Sequence, residues 1–583
     1  MTSSELERLE FTARAFDAWA ASDPRGANWP VVYVIDGLPT SAPTTSSVYV
    51  GETLNVRTRI RQHIDSGSKS GMRNVRVVVD DEFNKSVCLD LESHLIRWFS
   101  GDGNFAVLNL NGGITDADYF HRESYRTRFK DIFERLRHEG LFSSTITEIE
   151  NSDLFKLSPF KALTEDQAVA VDDILEGLFA DLEASAPSTM VIQGQPGTGK
   201  TIVAIYLMKL LTDIASTAPA DVLDRDWMFA DYFAEGHREL LAGFRMGLVV
   251  PQQSLRTSIQ RVFHRTPGLD KSMVLSPSQV GGGDKFDLLI VDETHRLNQR
   301  ANQPSAAQNK KFGEINERLF GADDNAKTQL DWIRAQSSHQ IFLVDAEQRI
   351  RPADLPNETL GQLARSARQT DRLYTLRTQM RVKAGADYVE FVRQLLHPAP
   401  AQLAPDRRAY EGYDLRVFDD LGDMQSAIVS RDHDIGLARL VAGYAWEWRS
   451  KKDSDAFDIE LDGCRLRWNS TDKDWINSSG SLNEVGSIHT VQGYDLNYAG
   501  VIIGPELAYD MASGRLVVHR HHYRDRKGKE NNPRLGRVYS DDDLLEFIVN
   551  IYRVLLTRGM QGTYVYACDP ALRAYLHRHI GPR

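Results

Sequence analysis

A chain of 583 residues exceeds what one hydrophobic core can organise and predicts about three or four domains. With 42% hydrophobic and 26% charged residues, no apolar run near the ~18 residues of a membrane span and no signal-peptide core in MTSSELERLEF, the composition excludes a membrane protein and predicts a soluble, cytoplasmic one. A net charge of −12 weighs against a chain coated in nucleic acid but not against a local basic groove, and Cys88, Cys464 and Cys568 are too scattered for a disulfide framework or a metal-ligand pattern.

Residues 5–20 place apolar positions at helical spacing and predict an exposed first helix, ahead of a strand at Val31–Ile35. A polar loop from Asp36 to Ser47 leads to a second strand, Val48–Val50, which stops at Gly51. The helix Asn55–Ile64 turns Val56, Ile60 and Ile64 inward and puts Arg59 and His63 on one face. A strand at Val75–Val79 precedes the helix Val87–Phe99, in which Glu92 stands among Cys88, Leu91, Leu95 and Ile96. A carboxylate there is costly unless paired, so Glu92 is either at the edge of the apolar stripe or a metal ligand.

With these elements in place, Val31-Val32-Tyr33 and Tyr49-Val50-Gly51 resemble the two signature tripeptides of the GIY-YIG nuclease family. The family's helix arginine and following His/Tyr fall on Arg59 and His63, its metal-binding glutamate on Glu92, and its asparagine on Asn109, with Asn111 as the alternative. The resemblance implies one-metal phosphodiester hydrolysis. Glu92 would hold Mg²⁺ or Mn²⁺, Arg59 would neutralise transition-state charge, and Tyr49, Tyr33 or His63 would activate water. Arg57, Arg61, Lys69, Arg73 and Arg76 would supply a positive surface for the substrate backbone. Val31 in place of the first glycine and the long loop between the tripeptides depart from the pattern, which leaves a degenerate binding module or an unrelated α/β domain as the other readings. Residues 118–160, with a mixed helix at Thr127–Gly140, read as a connector.

The strongest chemical signal follows. The apolar run Met190-Val191-Ile192 leads into Gly194-Gln195-Pro196-Gly197-Thr198-Gly199-Lys200-Thr201 and then into an apolar helix, the pattern of a phosphate-binding loop. Gly194, Gly197, Thr198 and Gly199 would form the cradle, Lys200 would reach the β/γ-phosphates of ATP, and Thr201 would sit on Mg²⁺. Phe286–Val291 is a continuous apolar strand of parallel-sheet type ending in Asp292-Glu293. Asp292 is placed to hold the metal and Glu293 to deprotonate the attacking water. A third strand, Gln340–Val344, ends in Asp345-Ala346-Glu347-Gln348-Arg349, where Gln348 is the candidate γ-phosphate sensor.

Several further stretches resemble superfamily 1 helicases. Gln167 in Leu163-Thr164-Glu165-Asp166-Gln167 stands where that family reads the adenine edge, and Gln252-Gln253-Ser254-Leu255-Arg256 where it touches the nucleic-acid backbone. Arg381, closing Leu376-Arg377-Thr378-Gln379-Met380-Arg381, and Arg558, in Leu555-Leu556-Thr557-Arg558-Gly559, stand as arginine fingers from the second lobe. Together with Ile488-His489-Thr490-Val491-Gln492-Gly493-Tyr494-Asp495 and Ala442–Trp448, they resemble the Schlafen group-3-like DNA/RNA helicase domain over residues 160–583. Trp446, Trp448, Trp468 and Trp475 either stack bases or fill a core, and the loop His519–Lys527 is either solvated or touches a strand.

The assembled expectation is an α/β chain: an N-terminal helix (1–28), a small GIY-YIG-type α/β domain (29–117), a connector (118–160) and two RecA-like parallel-sheet lobes with insertions, at 161–372 and 373–583, the second interrupted around 398–482. It predicts an ATP-dependent nucleic-acid helicase or translocase with a fused metal-dependent endonuclease, serving DNA repair or defence against phage, with DNA favoured over RNA and no membrane partner. Two rivals remain at this level: a nucleic-acid-sensing ATPase switch that does not unwind and only binds through its N-terminal module, and a regulatory ATPase without nucleic acid.

Overall fold

The structure is a computed structural model that describes residues 4–39, 46–67, 69–110, 112, 118–219, 227–301, 303, 305–345, 348–397, 405–471, 474–491 and 494–581. Asn111, Ala346–Glu347 and Gln492–Gly493 lie outside the described residues. The chain divides into two compact units, one of Met1–Glu183, Ile202–Phe244 and Ser258–Met273, the other of Ala184–Thr201, Arg245–Thr257 and Val274–Arg583.

The first unit begins with β1 (Glu5–Glu10), α1 (Ala13–Ser22), β2 (Val31–Gly37), β3 (Ser47–Thr53), α2 (Val56–Asp65), β4 (Met72–Val79), α3 (Lys85–Asp102) and β5 (Ala106–Val107). The sheet order is β1-β4-β2-β3-β5. β2 alternates sides as a strand must, so Val31, Tyr33 and Ile35 meet α1 and α2 while Val32 and Val34 meet α3. Asn55 caps α2 by accepting from Thr58 N, and Asn84 caps α3 by accepting from Val87 N.

Two expectations are corrected here. Residues 5–10 form an edge strand antiparallel to β4, not the start of a helix. Leu6 and Leu9 would share a face in a helix; they pack on opposite faces of the sheet, which only a strand allows. The stretch 118–160 forms α4 (Arg122–His138), α5 (Ile146–Asn151) and α6 (Asp153–Lys156), and Phe129, Ile132, Phe133, Leu136, Ile149 and Phe160 share one core with α3. Burial of that many large apolar side chains makes it part of this fold. α7 (Glu165–Glu183) follows.

The second unit holds two larger sheets. The first is wholly parallel, in the order β11-β6-β10-β9-β7-β8, with β6 (Ser188–Gly194), β7 (Met246–Val249), β8 (Val274–Leu275), β9 (Phe286–Val291), β10 (Ser337–Val344) and β11 (Leu373–Leu376). The second has the order β12-β20-β17-β13-β16-β15-β14, parallel except between the last two, with β12 (Asp414–Val417), β13 (Ala438–Ala442), β14 (Ile459–Leu461), β15 (Cys464–Trp468), β16 (Glu484–Ser487), β17 (Leu496–Ile503) and β20 (Gly559–Ala567). The hairpin β18 (Leu507–Asp510) and β19 (Arg515–Val518) stands apart from it. Two open parallel sheets of this kind are RecA-like lobes. Trp468 and Trp475 are buried in the second lobe, and Trp446 and Trp448 are half-buried against it.

Candidate ATPase site and N-terminal polar cluster

The phosphate loop leaves β6 at Gly194 and enters α8 (Lys200–Ser216). Gly197 and Gly199 have φ of 86° and 76°, the left-handed region that glycine enters freely. A Cβ on Gly197 would also overlap Gln379 Oε1. Thr198 closes the turn, its hydroxyl donating to Gln195 O at 2.9 Å. Lys200 is buried, and its Nζ donates to Gly194 O at 2.7 Å, Gln195 O at 2.9 Å and Asp345 Oδ2 at 3.3 Å.

Because β6 lies between β10 and β11, and β10 beside β9, the strand ends bring Gly194, Asp345 and Asp292 to one edge. The Thr201 hydroxyl donates to Asp292 Oδ2 at 2.8 Å. One hydroxyl and one carboxylate at that separation are hard oxygen donors suited to Mg²⁺. Burial, followed by the neighbouring Glu293 charge, pushes the Asp292 carboxyl above its ordinary range. Glu293 follows β9 at φ 49° with Oε2 2.9 Å from His295 Nε2. Burial opposes its charge, yet His295, Lys200 and Arg558 together outweigh burial and hold it below the usual carboxylate range.

Arg558 is buried, donates from Nη1 to Tyr494 O at 3.1 Å, and leaves Nε without a hydrogen-bond partner among the described residues. Burial first, then the charge of Arg381, brings its guanidinium down to about 9. Arg381 Nε lies 2.5 Å from Asp495 Oδ1. Its segment docks on the phosphate loop: Met380 N donates to Gly197 O at 2.9 Å and Gln379 Nε2 to Pro196 O at 2.6 Å. Gln348 donates to Asp345 Oδ2 at 2.8 Å, while its buried Oε1 has no partner among the described residues. The second unit thus gathers Gly194, Gly197, Thr198, Gly199, Lys200, Thr201, Asp292, Glu293, Gln348, Arg381 and Arg558 around one strand edge. Gln167 belongs to the first unit, where its Oε1 accepts from Thr164 N at 3.0 Å. Sequence reasoning missed His295, Asp345 and Gln379; the first two adjoin or lie within the quoted strand-end motifs, but their partners depend on strand order.

In the first unit, Tyr33 OH lies 2.9 Å from His63 Nε2, and the register Tyr33↔Gly51 sets that hydroxyl where a Cβ on Gly51 would stand. Burial raises the Tyr33 phenol, with Tyr49 and Glu92 adding to the effect and Arg59 opposing it. Burial, then Lys69 and Arg59, lowers His63 to about 2, so its imidazole is neutral at physiological pH. The Tyr49 and His63 rings stand 4.9 Å apart, and Lys69 Nζ sits 3.9 Å from the Tyr49 ring centre. Asn109 bridges to β3, accepting from Val50 N at 3.1 Å and donating to Val50 O at 2.8 Å. Glu92 is half-buried and close enough to raise both Tyr33 and Cys88. Among the described residues no group of three or more His, Cys, Asp or Glu could hold a metal ion.

The expected positive surface is corrected. Arg76 is buried between Asp36 and Glu139, Arg57 and Arg61 both pair with Asp17, and Lys69 is buried beneath Tyr49, so of the five only Arg73 is exposed with no such partner among the described residues.

The sequence model of the Schlafen group 3, DNA/RNA helicase domain matches residues 187–569. An uncharacterized protein of Saccharomyces cerevisiae is 28% identical over 418 residues, 67% of this chain and 84% of that protein. The ATP-dependent DNA helicase RecG of Borreliella burgdorferi is 28% identical over 189 residues, 30% of this chain and 26% of RecG. An Arterivirus nonstructural protein 10 helicase in complex with DNA aligns at a TM-score of 0.26 and 13% identity, over 65% of this chain and 60% of the viral one.

Proposed function

The chain belongs to the Schlafen group 3, DNA/RNA helicase domain family, and from that premise we propose that it is an ATP-driven helicase or translocase whose N-terminal domain is a metal-dependent endonuclease of GIY-YIG type. The observation that carries the motor reading is the strand edge where Lys200, Thr201, Asp292, Glu293 and Gln348 of the first lobe stand with Arg381 and Arg558.

On this reading Lys200 exchanges its contacts with Gly194 O and Gln195 O for the β/γ-phosphates. Thr201 and Asp292 would hold Mg²⁺, which would supply electrophilic stabilisation of the phosphates. Glu293, kept ionised by His295, accepts the proton of the attacking water, and Arg558 and Arg381 meet the charge that develops on the γ-phosphoryl oxygens. The unbonded Gln348 Oε1 and Arg558 Nε fit a site whose last partners arrive with the nucleotide. The DNA named for RecG favours a DNA strand as the track.

The nuclease reading rests on Tyr33, Tyr49, Arg59, His63 and Glu92 acting on one another within one small domain. His63, bonded to the Tyr33 hydroxyl, orients that phenol, and Tyr49, Tyr33 or His63 would activate the attacking water. Glu92 would hold Mg²⁺ or Mn²⁺.

The test measures ATP hydrolysis with and without single-stranded DNA and RNA, then displacement of a labelled strand, with Lys200→Ala as control. Strand-stimulated hydrolysis with displacement is the expected result. Stimulation without displacement selects the ATPase switch instead, and absence of stimulation overturns the nucleic-acid reading.

A further inference from the structure

The loop after β19, His519-Arg520-His521-His522-Tyr523-Arg524-Asp525-Arg526-Lys527-Gly528-Lys529, carries five cations and three histidines against one carboxylate, in a chain of net charge −12. A run of charge is ordinarily a solvated surface, but this loop is built. Tyr523 and Asp525 are buried. Asp525 Oδ2 lies 2.9 Å from His489 Nε2, in the segment preceding β17, and Oδ1 accepts from Lys527 N at 2.9 Å. Lys529 Nζ turns inward to Tyr523 O and, at 3.2 Å, to Arg520 O. Arg520 pairs with Asp541 and Lys527 with Glu530. Arg524 N donates to Tyr444 O at 2.8 Å, which pins that residue beside a half-exposed aromatic.

Once those bonds are assigned, Arg524 and Arg526 are left exposed, with no ion-pair partner among the described residues, and His519 and His521 are exposed beside them. Tyr444 in turn stands 6.2 Å, ring centre to ring centre, from both His489 and Trp448, and Lys451 Nζ lies 5.0 Å from the Trp448 ring. Rigidly presented cations next to partly exposed aromatic rings suit a ligand with a repeating negative charge and flat faces.

We propose that this rim is a contact surface for a single strand of nucleic acid, in which Arg524 and Arg526 each neutralise a backbone phosphate beside Tyr444. The proposal rests on the nucleic-acid reading above and adds the surface that reading lacks. The experiment uses the full chain with fluorescein-labelled oligothymidylate and oligouridylate, measuring binding by anisotropy across a salt series. Arg524→Gln combined with Arg526→Gln should weaken binding about tenfold at low salt and flatten the slope of log K against log salt by about 1.4, the release expected for two phosphates. Basal ATP hydrolysis without a strand should stay at the wild-type rate, which also reports an intact fold. The paired Arg→Lys substitutions should restore the slope. Unchanged affinity and slope in the Gln variant, or a loss of affinity at unchanged slope, overturns this assignment while the wild-type binding keeps the functional reading standing. Absence of binding by the wild type removes both.

Discussion

Glu506 is fully buried, bonded to the Tyr552 hydroxyl through one carboxylate oxygen and, among the described residues, unbonded at the other. Burial pushes it up to about 7, from an ordinary value of 4.5, although Tyr552 works against the shift. The folded state therefore binds this proton more tightly than the unfolded chain, so the contribution is complete below pH 4.5 and disappears as pH rises through 7. Glu506→Gln should remove that pH dependence, and relative to wild type it should gain on the order of 3 kcal/mol between pH 4.5 and pH 8. Paired chemical unfolding curves across that range check it; parallel curves would show that another group titrates. At the motor site, Glu293→Gln should keep ATP affinity and stop turnover, because Asp292 and Thr201 retain their contact. Arg558→Ala should slow hydrolysis by about 10³-fold with nucleotide affinity little changed, as read by single-turnover hydrolysis against equilibrium binding.

Among the elements, the apolar strands were the most legible part of the chain. Val31–Ile35, Met190–Ile192, Phe286–Val291 and Gln340–Val344 each lie within an observed strand, because short, mainly apolar runs carrying β-branched residues have few other uses. Residues 5–10 were not legible, since Leu6 and Leu9, three apart, fit one face of an amphipathic helix until β4 supplies a strand partner. Nor was the burial of Arg76: its pairing with Asp36 and Glu139 depends on strand register and on α4, neither of which is written locally. The segment after β10 has the same character. Arg349 packs on the Phe547 ring at 5.0 Å, its carbonyl accepts from Asn550 Nδ2 at 2.9 Å, and Ile350 is buried in the core of the second lobe. Ile350→Ala should cost about 2–5 kcal/mol, measured by denaturant unfolding, and a smaller loss would mean that the site relaxes around the gap.

For the molecule as a whole, the two proposed activities should separate cleanly. Glu92→Ala should abolish strand cleavage and leave ATP hydrolysis near wild type, and Lys200→Ala should abolish ATP hydrolysis. Tyr49→Phe divides the nuclease question further, because normal cutting by that variant would shift the role of base to the Tyr33–His63 pair. Cleavage surviving Glu92→Ala would place the nuclease outside this domain. The buried Ile350 carries a different consequence. Gln348 answers to the phosphate loop through Asp345, and two residues later the chain is already fixed in the second lobe. About 7 Å of backbone then separates the candidate γ-phosphate sensor from the core of the second lobe. A single glycine inserted after Gln348 would loosen that tether like a slipped belt, leaving hydrolysis running while its stimulation by a bound strand falls away.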